Sequence, residues 1–426
     1  MSHLWGDLTW RGLVHQSTDP ELAALLDQRG LTGYVGFDPT APSLHVGSLQ
    51  QILLLVRLQQ AGHAPVALAG GGTGLVGDPS FRADERPLLT SEELAAHLDG
   101  IRSQLERFLD FSAGAGSARA RLVDNGEWLG QLRLLDFLRD VGKHFTVNAM
   151  MAKESVRARL QERDQGISFT EFTYMLLQAF DFLHLFETYD CRLQLGGSDQ
   201  WGNITMGIDL IRRLHGVTAY GLTSPLVVKA DGSKFGKTES GTVWLDAERT
   251  SPYALYQYFV RTEDSAVGDY LRRLTLLSRE TILELDSAVA TRPERREAQR
   301  ALAAAVTTLV HGAEEARRAE RAAEVLFSEE IASLDEPTLV AALGDAPSTD
   351  LSRSDLGRLD VVDALVRTEL VSSKGAARRA VQQGGVYVNN RRVDGVEATI
   401  GVEDLLHDRY VILRRGRKDQ HVLRFG

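Results

Sequence analysis

A single cysteine, Cys191, stands among the 426 residues, which excludes an intramolecular disulfide and a cysteine-built metal cluster and suits a reducing compartment. Long apolar runs are missing as well. The longest stretch of large aliphatic residues, ILLLV at 52–56, falls far short of the ~20 residues that span a bilayer. The opening MSHLWGDLTWRGL has no basic start followed by an apolar segment, so a cytoplasmic protein is expected, neither secreted nor membrane-inserted. Internal repeats and low-complexity segments are absent. So is G-x-x-x-x-G-K-[ST], which rules out a P-loop. Lysine is scarce too: seven of the 48 Lys+Arg residues are lysines.

What remains is 43% hydrophobic and 25% charged residues, enough for a large core and more chain than one ordinary domain uses, so two or three domains are expected. The net charge of -10 is unevenly spread. Residues 361–426 carry 12 Lys+Arg against 8 Asp+Glu, a net of +4, so the first 360 carry -14. A basic tail on an acidic body invites a polyanion.

Up to about residue 230, short apolar runs (GYVGFD, APVALAG, ARLVDN, CRLQLGG) alternate with helical patterns (LQQILLLVRLQQAG, FTYMLLQAFDFL). That alternation predicts an α/β fold with a mainly parallel sheet. From roughly 250 to 330 the pattern turns helical and rich in Ala, Arg and Glu. The stretch 333–355 mixes Pro, Asp and Ser and reads as a linker around a short helix. The expected domains are therefore 1–230, 231–332 and 356–426, the last a small α+β unit.

GTGLVG at 72–77 fits G-x-G-x-x-G and follows APVALA, the pattern of a dinucleotide-binding turn. That turn needs a helix N-terminus directly after its last glycine. Here Asp78 and Pro79 follow; the aspartate repels a pyrophosphate and the proline disfavours helical backbone before it. The acidic residue required about 20 positions on falls instead in SEELAAHLDG, a capped-helix pattern. An NAD-binding oxidoreductase is a remote alternative. The glycines are expected to let the backbone approach something small while presenting Asp78 to an ammonium group.

In TEFTYMLLQAFDFL, Tyr174, Gln178 and Asp181 stand at i, i+4 and i+7 and share one face of an otherwise apolar helix. A helix so apolar is buried, and buried polar groups need partners, so the stripe is expected to face a pocket; a narrow solvated face is the alternative. In GFDPTAPSLHVGSLQQILLLV, Pro39 and Pro42 mark a turn, Ser43 is a candidate cap, and His45 and Ser48 fall near a helix N-terminus that favours phosphate. A lone histidine there is otherwise structural. KADGSKFGKTESG holds Lys229, Lys234 and Lys237, three of the seven lysines, in a glycine-rich loop. Where arginine is the default cation, compact and flexible ammonium groups point to following a phosphate, unless the loop is only solvated surface. LGGSDQWGN ends a strand with Asp199 and Gln200, where open sheets bind ligands; a simple tight turn is the alternative.

FDPTAPSLHVGS, GGSDQWGN and KFGKT, in this order and spacing, resemble the bacterial tyrosyl-tRNA synthetases of class I, over about residues 30–330 and again in the tail. HVGS and KFGKT resemble the two class signatures, and VVDALVRTELVSSKGAARRAVQQGGVYVNNRRVDG resembles an S4-type RNA-binding domain. The resemblance implies a Rossmann-like catalytic domain, an α-helical tRNA-binding domain and an S4-like domain. It also implies tyrosine activation by ATP, accompanied by Mg²⁺, and transfer of the tyrosyl group to the terminal adenosine of tRNA(Tyr) by a homodimer. Catalysis in such a site is mainly positioning and stabilisation of charge.

By position in those motifs, the resemblance implies that Tyr34 and Asp181 hold the substrate phenol, that Asp78, Tyr174 and Gln178 hold its ammonium, and that Gln200 lies near its carboxylate. Gly36, Asp38, Thr40 and Gly47 flank the nucleotide, and Gly197 and Asp199 meet the ribose. His45 and Thr40 stabilise the reacting phosphate, while Lys234, Lys237 and Thr238 close over pyrophosphate with help from Arg82 and Arg86. Lys374, Arg378, Arg379, Arg391 and Arg392 are the tail's candidate RNA contacts. No dedicated protein metal site is expected. Rejection of phenylalanine follows from leaving Tyr34 and Asp181 unpaired, an argument for which this enzyme family is itself the standard illustration.

The first signature in the family ends in a second histidine where this chain has Ser48, and Gln51 and Gly126 are also unusual. Altered ATP affinity is expected. A synthetase-like paralogue acting as an RNA-binding regulator is the alternative. The apolar segment LLDFLRDVGKHFTVNAMM, 134–151, is the candidate subunit interface.

Overall fold

Six consecutive small and apolar residues, APVALA, suit a strand buried on both faces, and Ala64–Ala69 is such a strand, every residue of it buried. The computed structural model describes residues 3–78, 80, 89–153, 156–157, 167–233, 235–238, 241–326, 328–344, 346–416 and 419–426. They divide into two compact units, Met1–Thr250 with Thr262–Val310, and Ser251–Arg261 with His311–Gly426.

The first unit is built on β1 (Gln16–Ser17), β2 (Thr32–Phe37), β3 (Ala64–Ala69), β4 (Arg121–Asp124), β5 (Cys191–Gly197) and β6 (Tyr220–Ser224), in the order β1-β6-β5-β2-β3-β4. Only β1 runs antiparallel to its neighbour. The chain passes from β2 outward to β3 and β4, then returns to place β5 on the other side of β2. The point where the order reverses therefore lies between β2 and β5, where open parallel sheets bind ligands beyond the carboxyl ends of their strands. Tyr34 on β2 is in register with Gln194 on β5 and Val66 on β3.

Helix Phe169–Tyr189 carries the polar stripe. Ser168 caps its start by accepting from Glu171 N, and Asp190, at φ 49°, ends it in the left-handed region. Met175, Leu176, Ala179, Phe182 and Leu183 bury its apolar face in a core with Tyr34, Val66 and Leu68. Leu49–Gln60 is a second buried helix. Ser43 does not cap it as expected: its hydroxyl donates to Leu44 O and accepts from Gln104 Nε2, because Ser43 is buried and needs partners at once. A 3₁₀ turn, Val46–Ser48, precedes the helix, and His45 caps that turn.

A short antiparallel pair, β7 (Lys237–Thr238) and β8 (Gly241–Thr242), follows the sheet, and the region from 250 to about 330 is helical as expected, with Pro252–Val260, Asp264–Leu274, Arg279–Thr291, Glu297–His311 and Ala313–Val325. In the second unit, the stretch read as a linker does contain a helix, Glu336–Leu343, but it also supplies β9 (Ser348–Leu351). Its residues Ser348–Leu351 pair parallel with Val422–Phe425 of β13 (Asp419–Phe425), so a segment with little periodicity is ordered by a long-range partner. β10 (Val386–Val388), β11 (Arg391–Arg392) and β12 (Tyr410–Arg415) complete a sheet in the order β11-β10-β12-β13-β9. Asn389 and Asn390, at φ 47° and 64°, form the two-residue turn between β10 and β11, the backbone for which adjacent asparagines are suited.

Candidate functional site

A cavity of about 300 Å³ opens at the carboxyl ends of β2 and β5. The strands deliver Tyr34, Gly36 and Asp38 on one side and Gln194, Gly197, Asp199 and Gln200 on the other, and the long helix contributes Tyr174, Gln178 and Asp181. Thr40, His45, Gly47, Ser48, Gln51 and Asp78 also line it. The stripe read from i, i+4, i+7 spacing thus faces a pocket rather than water.

Asp181 is 2% exposed and receives two hydrogen bonds, from Asn125 Nδ2 to Oδ2 and from Trp128 Nε1 to Oδ1, both 2.8 Å. Burial pushes its pKa up to about 7, against the pull of those two donors. Tyr34 is 1% exposed and its hydroxyl has no hydrogen-bond partner among the described residues. Burial, and then the nearby charge of Asp181, hold that phenol well above its ordinary pKa. A buried hydroxyl left unpaired costs about 1–3 kcal/mol, so a polar guest able to satisfy it is favoured.

The other acids are laced together. Tyr174 Oη donates to Asp38 Oδ2 at 3.0 Å, and Thr73 Oγ1 donates to Asp38 Oδ1 at 2.9 Å. Asn125 Nδ2 reaches Thr73 Oγ1 as well as Asp181, which joins the two carboxylates through one amide. Gln200 Nε2 donates to Asp78 Oδ2 at 2.7 Å, Gln178 Nε2 to Gln200 Oε1 at 3.2 Å, and Asn203 Nδ2 to Gln178 Oε1 at 2.9 Å. Burial raises the Asp199 pKa, opposed mainly by its bond from Gln200. His45 accepts from Gly47 N at Nδ1, 3.0 Å, so the proton of the neutral ring sits on Nε2. A Cβ at Gly47 would lie 2.7 Å from that ring, which is why glycine follows.

The glycines of GTGLVG do not serve as expected. Thr73–Leu75 is a 3₁₀ turn, and a Cβ at Gly72 would stand 2.9 Å from Leu129, one at Gly74 2.9 Å from Leu94. Their backbone is approached by the protein's own side chains, while Gly77, at φ 84°, turns the chain into Asp78.

Lys234, Arg82 and Arg86 lie outside the described residues. For Lys237 and Thr238 only the backbone is described, as a short strand paired with Gly241–Thr242. Lys374, Arg378, Arg379, Arg391 and Arg392 are exposed in the second unit, with Lys374 ion-paired to Asp363. Asn125, Trp128, Thr73 and Asn203 were not anticipated as site residues. Asn125 was within reach, since it ends the run ARLVDN at a strand's carboxyl end; Trp128 had no signal in spacing. Gln194, buried with its Oε1 unpaired among the described residues, was visible only as a polar residue within an apolar-rich strand.

Residues 26–328 match the family described as tRNA synthetases class I (W and Y), and residues 339–423 match the tyrosine–tRNA ligase SYY-like C-terminal domain. The chain is 52% identical over 426 residues to the tyrosine–tRNA ligase of Roseiflexus castenholzii, covering 100% of both. It is 50% identical over 425 residues to that of Geobacillus stearothermophilus, covering 99% of this chain and 100% of the relative. In three dimensions it resembles a C-terminally truncated mitochondrial tyrosyl-tRNA synthetase from Aspergillus nidulans, with a TM-score of 0.68 and 32% identity over 77% of this chain and 95% of that one.

Proposed function

The chain belongs to the class I tyrosine–tRNA ligases, and on that footing we propose how its cavity carries the reaction. Tyrosine is activated by ATP to the adenylate and passed to the 3′ adenosine of tRNA(Tyr). The observation that carries the assignment of residues is the buried, unpaired Tyr34 hydroxyl beside Asp181. A substrate phenol entering there donates to Asp181 and accepts from Tyr34. Phenylalanine would leave both without it.

Asp78, Tyr174 and Gln178 then meet the ammonium group and Gln200 the carboxylate, the existing bonds among them giving way to bonds with the ligand. The His45 Nε2 proton and the Thr40 hydroxyl supply donors to the α-phosphate as charge builds on it. Gly36, Gly47 and Gly197 keep the nucleotide's path open, Asp38 and Asp199 offer acceptors to its hydroxyls, and Ser48, which makes no side-chain capping bond, offers a short donor where the family has a longer one. Lys234, Lys237, Thr238, Arg82 and Arg86 complete the proposal at the pyrophosphate. Among the described residues no three or more His, Cys, Asp or Glu side chains are grouped to hold a metal ion. A Mg²⁺ accompanying ATP would ride on the phosphates, needing no protein cage.

The five exposed cations of the second unit support RNA contact there. Leu134 and Leu135, 70% and 78% exposed, are joined by Leu138, Val147 and Met151 as exposed apolar side chains of segment 134–151, and that exposure supports a homodimer through this segment. No helix among the described residues is long and apolar enough to cross a membrane; a cytoplasmic site of action accords with the reaction. The test is exchange of pyrophosphate into ATP with tyrosine, with phenylalanine and with neither. Tyrosine-dependent exchange that disappears in Asp181→Ala is expected; equal exchange with both amino acids would sink the assignment of Tyr34 and Asp181.

A further inference from the structure

The indole of Trp128 supplies one of the two bonds that hold Asp181, yet its own segment does little to fix it. Gly126–Leu129 is a helix of four residues, too short to be stable by itself, and Trp128 is only partly buried at the margin of the core around Phe182. Its face is covered by His184. The two ring centroids are 4.2 Å apart and the planes 19° from parallel. His184 stands three residues beyond Asp181 on helix Phe169–Tyr189, so the two side chains project from neighbouring positions on one helix surface. One helix thereby offers the indole an acceptor for its N–H and a surface for its ring.

We propose that His184 is a positioning residue for tyrosine recognition: stacked on Trp128, it holds the indole in the orientation from which Nε1–H reaches Asp181, and so aims the carboxylate at the phenol. This rests on the reading of Asp181 as the phenol's acceptor. The far edge of the imidazole is also engaged, with Nε2 3.5 Å from Thr188 Oγ1 one turn further on. Burial lowers the pKa of His184 against the opposing pull of Glu187, which favours a neutral ring against the indole. A side chain that merely filled space would be replaceable by any residue of similar volume. Stacking is not.

The experiment uses the full chain in tyrosine-dependent pyrophosphate exchange. His184→Ala is expected to raise the KM for tyrosine about three- to tenfold and to lower the preference for tyrosine over phenylalanine by a like factor, with kcat and the KM for ATP nearly unchanged. His184→Phe restores the tyrosine KM and His184→Leu does not. Because the indole N–H is the route, His184→Ala placed on Trp128→Phe, which lacks that donor, adds nothing further. An unchanged tyrosine KM in His184→Ala, equal rescue by Leu and Phe, or additive effects with Trp128→Phe each overturn the proposal. Should His184→Ala fold poorly, the Phe and Leu variants decide between stacking and filling. An Asp181→Asn arm separates the two levels: a strong effect there with a silent His184 overturns only the positioning role, whereas an Asp181→Asn enzyme with unaltered tyrosine KM removes the reading beneath it.

Discussion

Around Asp181 two neutral donors, Asn125 and Trp128, grip the carboxylate and the adjacent Tyr34 hydroxyl has no partner among the described residues; around Asp78 the groups are instead bonded to one another, through Gln200, Gln178 and Asn203. The first arrangement has nowhere to relax if the wrong guest enters. Its polar atoms were desolvated on folding, so a ligand lacking a hydroxyl leaves them unsatisfied. The second can exchange one amide partner for another, since each glutamine and asparagine both donates and accepts. The difference assigns discrimination to the phenol end and adaptable binding of the amino-acid head to the other.

The largest expected effect is that of Asp181→Ala. It removes the acceptor for Asn125, for Trp128 and for the substrate, and should cut tyrosine-dependent exchange by about 10²-fold or more, erasing the preference over phenylalanine. Asp78→Asn should cost about ten- to a hundredfold, because a charge-assisted bond to the ammonium is lost. It should do so equally for tyrosine and phenylalanine, which share that group. A changed preference in Asp78→Asn would dissolve the contrast between the two ends. Tyr34→Phe sharpens it through opposite signs: the KM for tyrosine should rise about two- to tenfold, while the ligand-free enzyme melts about 1–2 °C higher for want of an unpaired buried hydroxyl. Tyrosine-dependent pyrophosphate exchange reads the first and differential scanning calorimetry without ligand the second.

The smallest expected effect is on pH. The folded pKa of Asp181, about 7, lies above its unfolded value. The folded state therefore holds a proton that the unfolded chain has released between about pH 4 and 7. Its contribution is most favourable below that window and is lost as pH rises through it. Tyrosine binding has the opposite sense, since an ionised carboxylate is the better acceptor for a phenol, so the tyrosine KM should fall about two- to threefold as pH rises through 7. Asp181→Asn should flatten both curves, and a persistent slope would assign the titration elsewhere.

Much of this was readable in the chain. APVALA and CRLQLGG are strands, short apolar-rich runs of strand length, and helical spacing puts Tyr174, Gln178 and Asp181 on one face; that the face meets a pocket and not water was decided by what packs around it. Ser43 was misread as a cap because burial, and not its place before a helix, decides what its hydroxyl bonds. The glycines of GTGLVG suggested an approach by ligand, but the atoms against Gly72 and Gly74 come from Leu129 and Leu94, residues far off in sequence. β9 was read as linker because a strand ordered by β13 needs no periodicity of its own.

Local chemistry in the sequence determined the alternation of strands and helices and the side chains that share one face of the long helix, while the order of the strands, and with it the crevice between β2 and β5, came from their pairing in space. Only the tertiary structure decided that Asn125 and Trp128 hold Asp181, that His184 lies flat against Trp128, and that Tyr34 is left with a hydroxyl to satisfy. The physical reason is range: periodicity and capping act over a turn or two of backbone, whereas desolvation and hydrogen-bond pairing depend on which distant segments arrive at the same few ångströms.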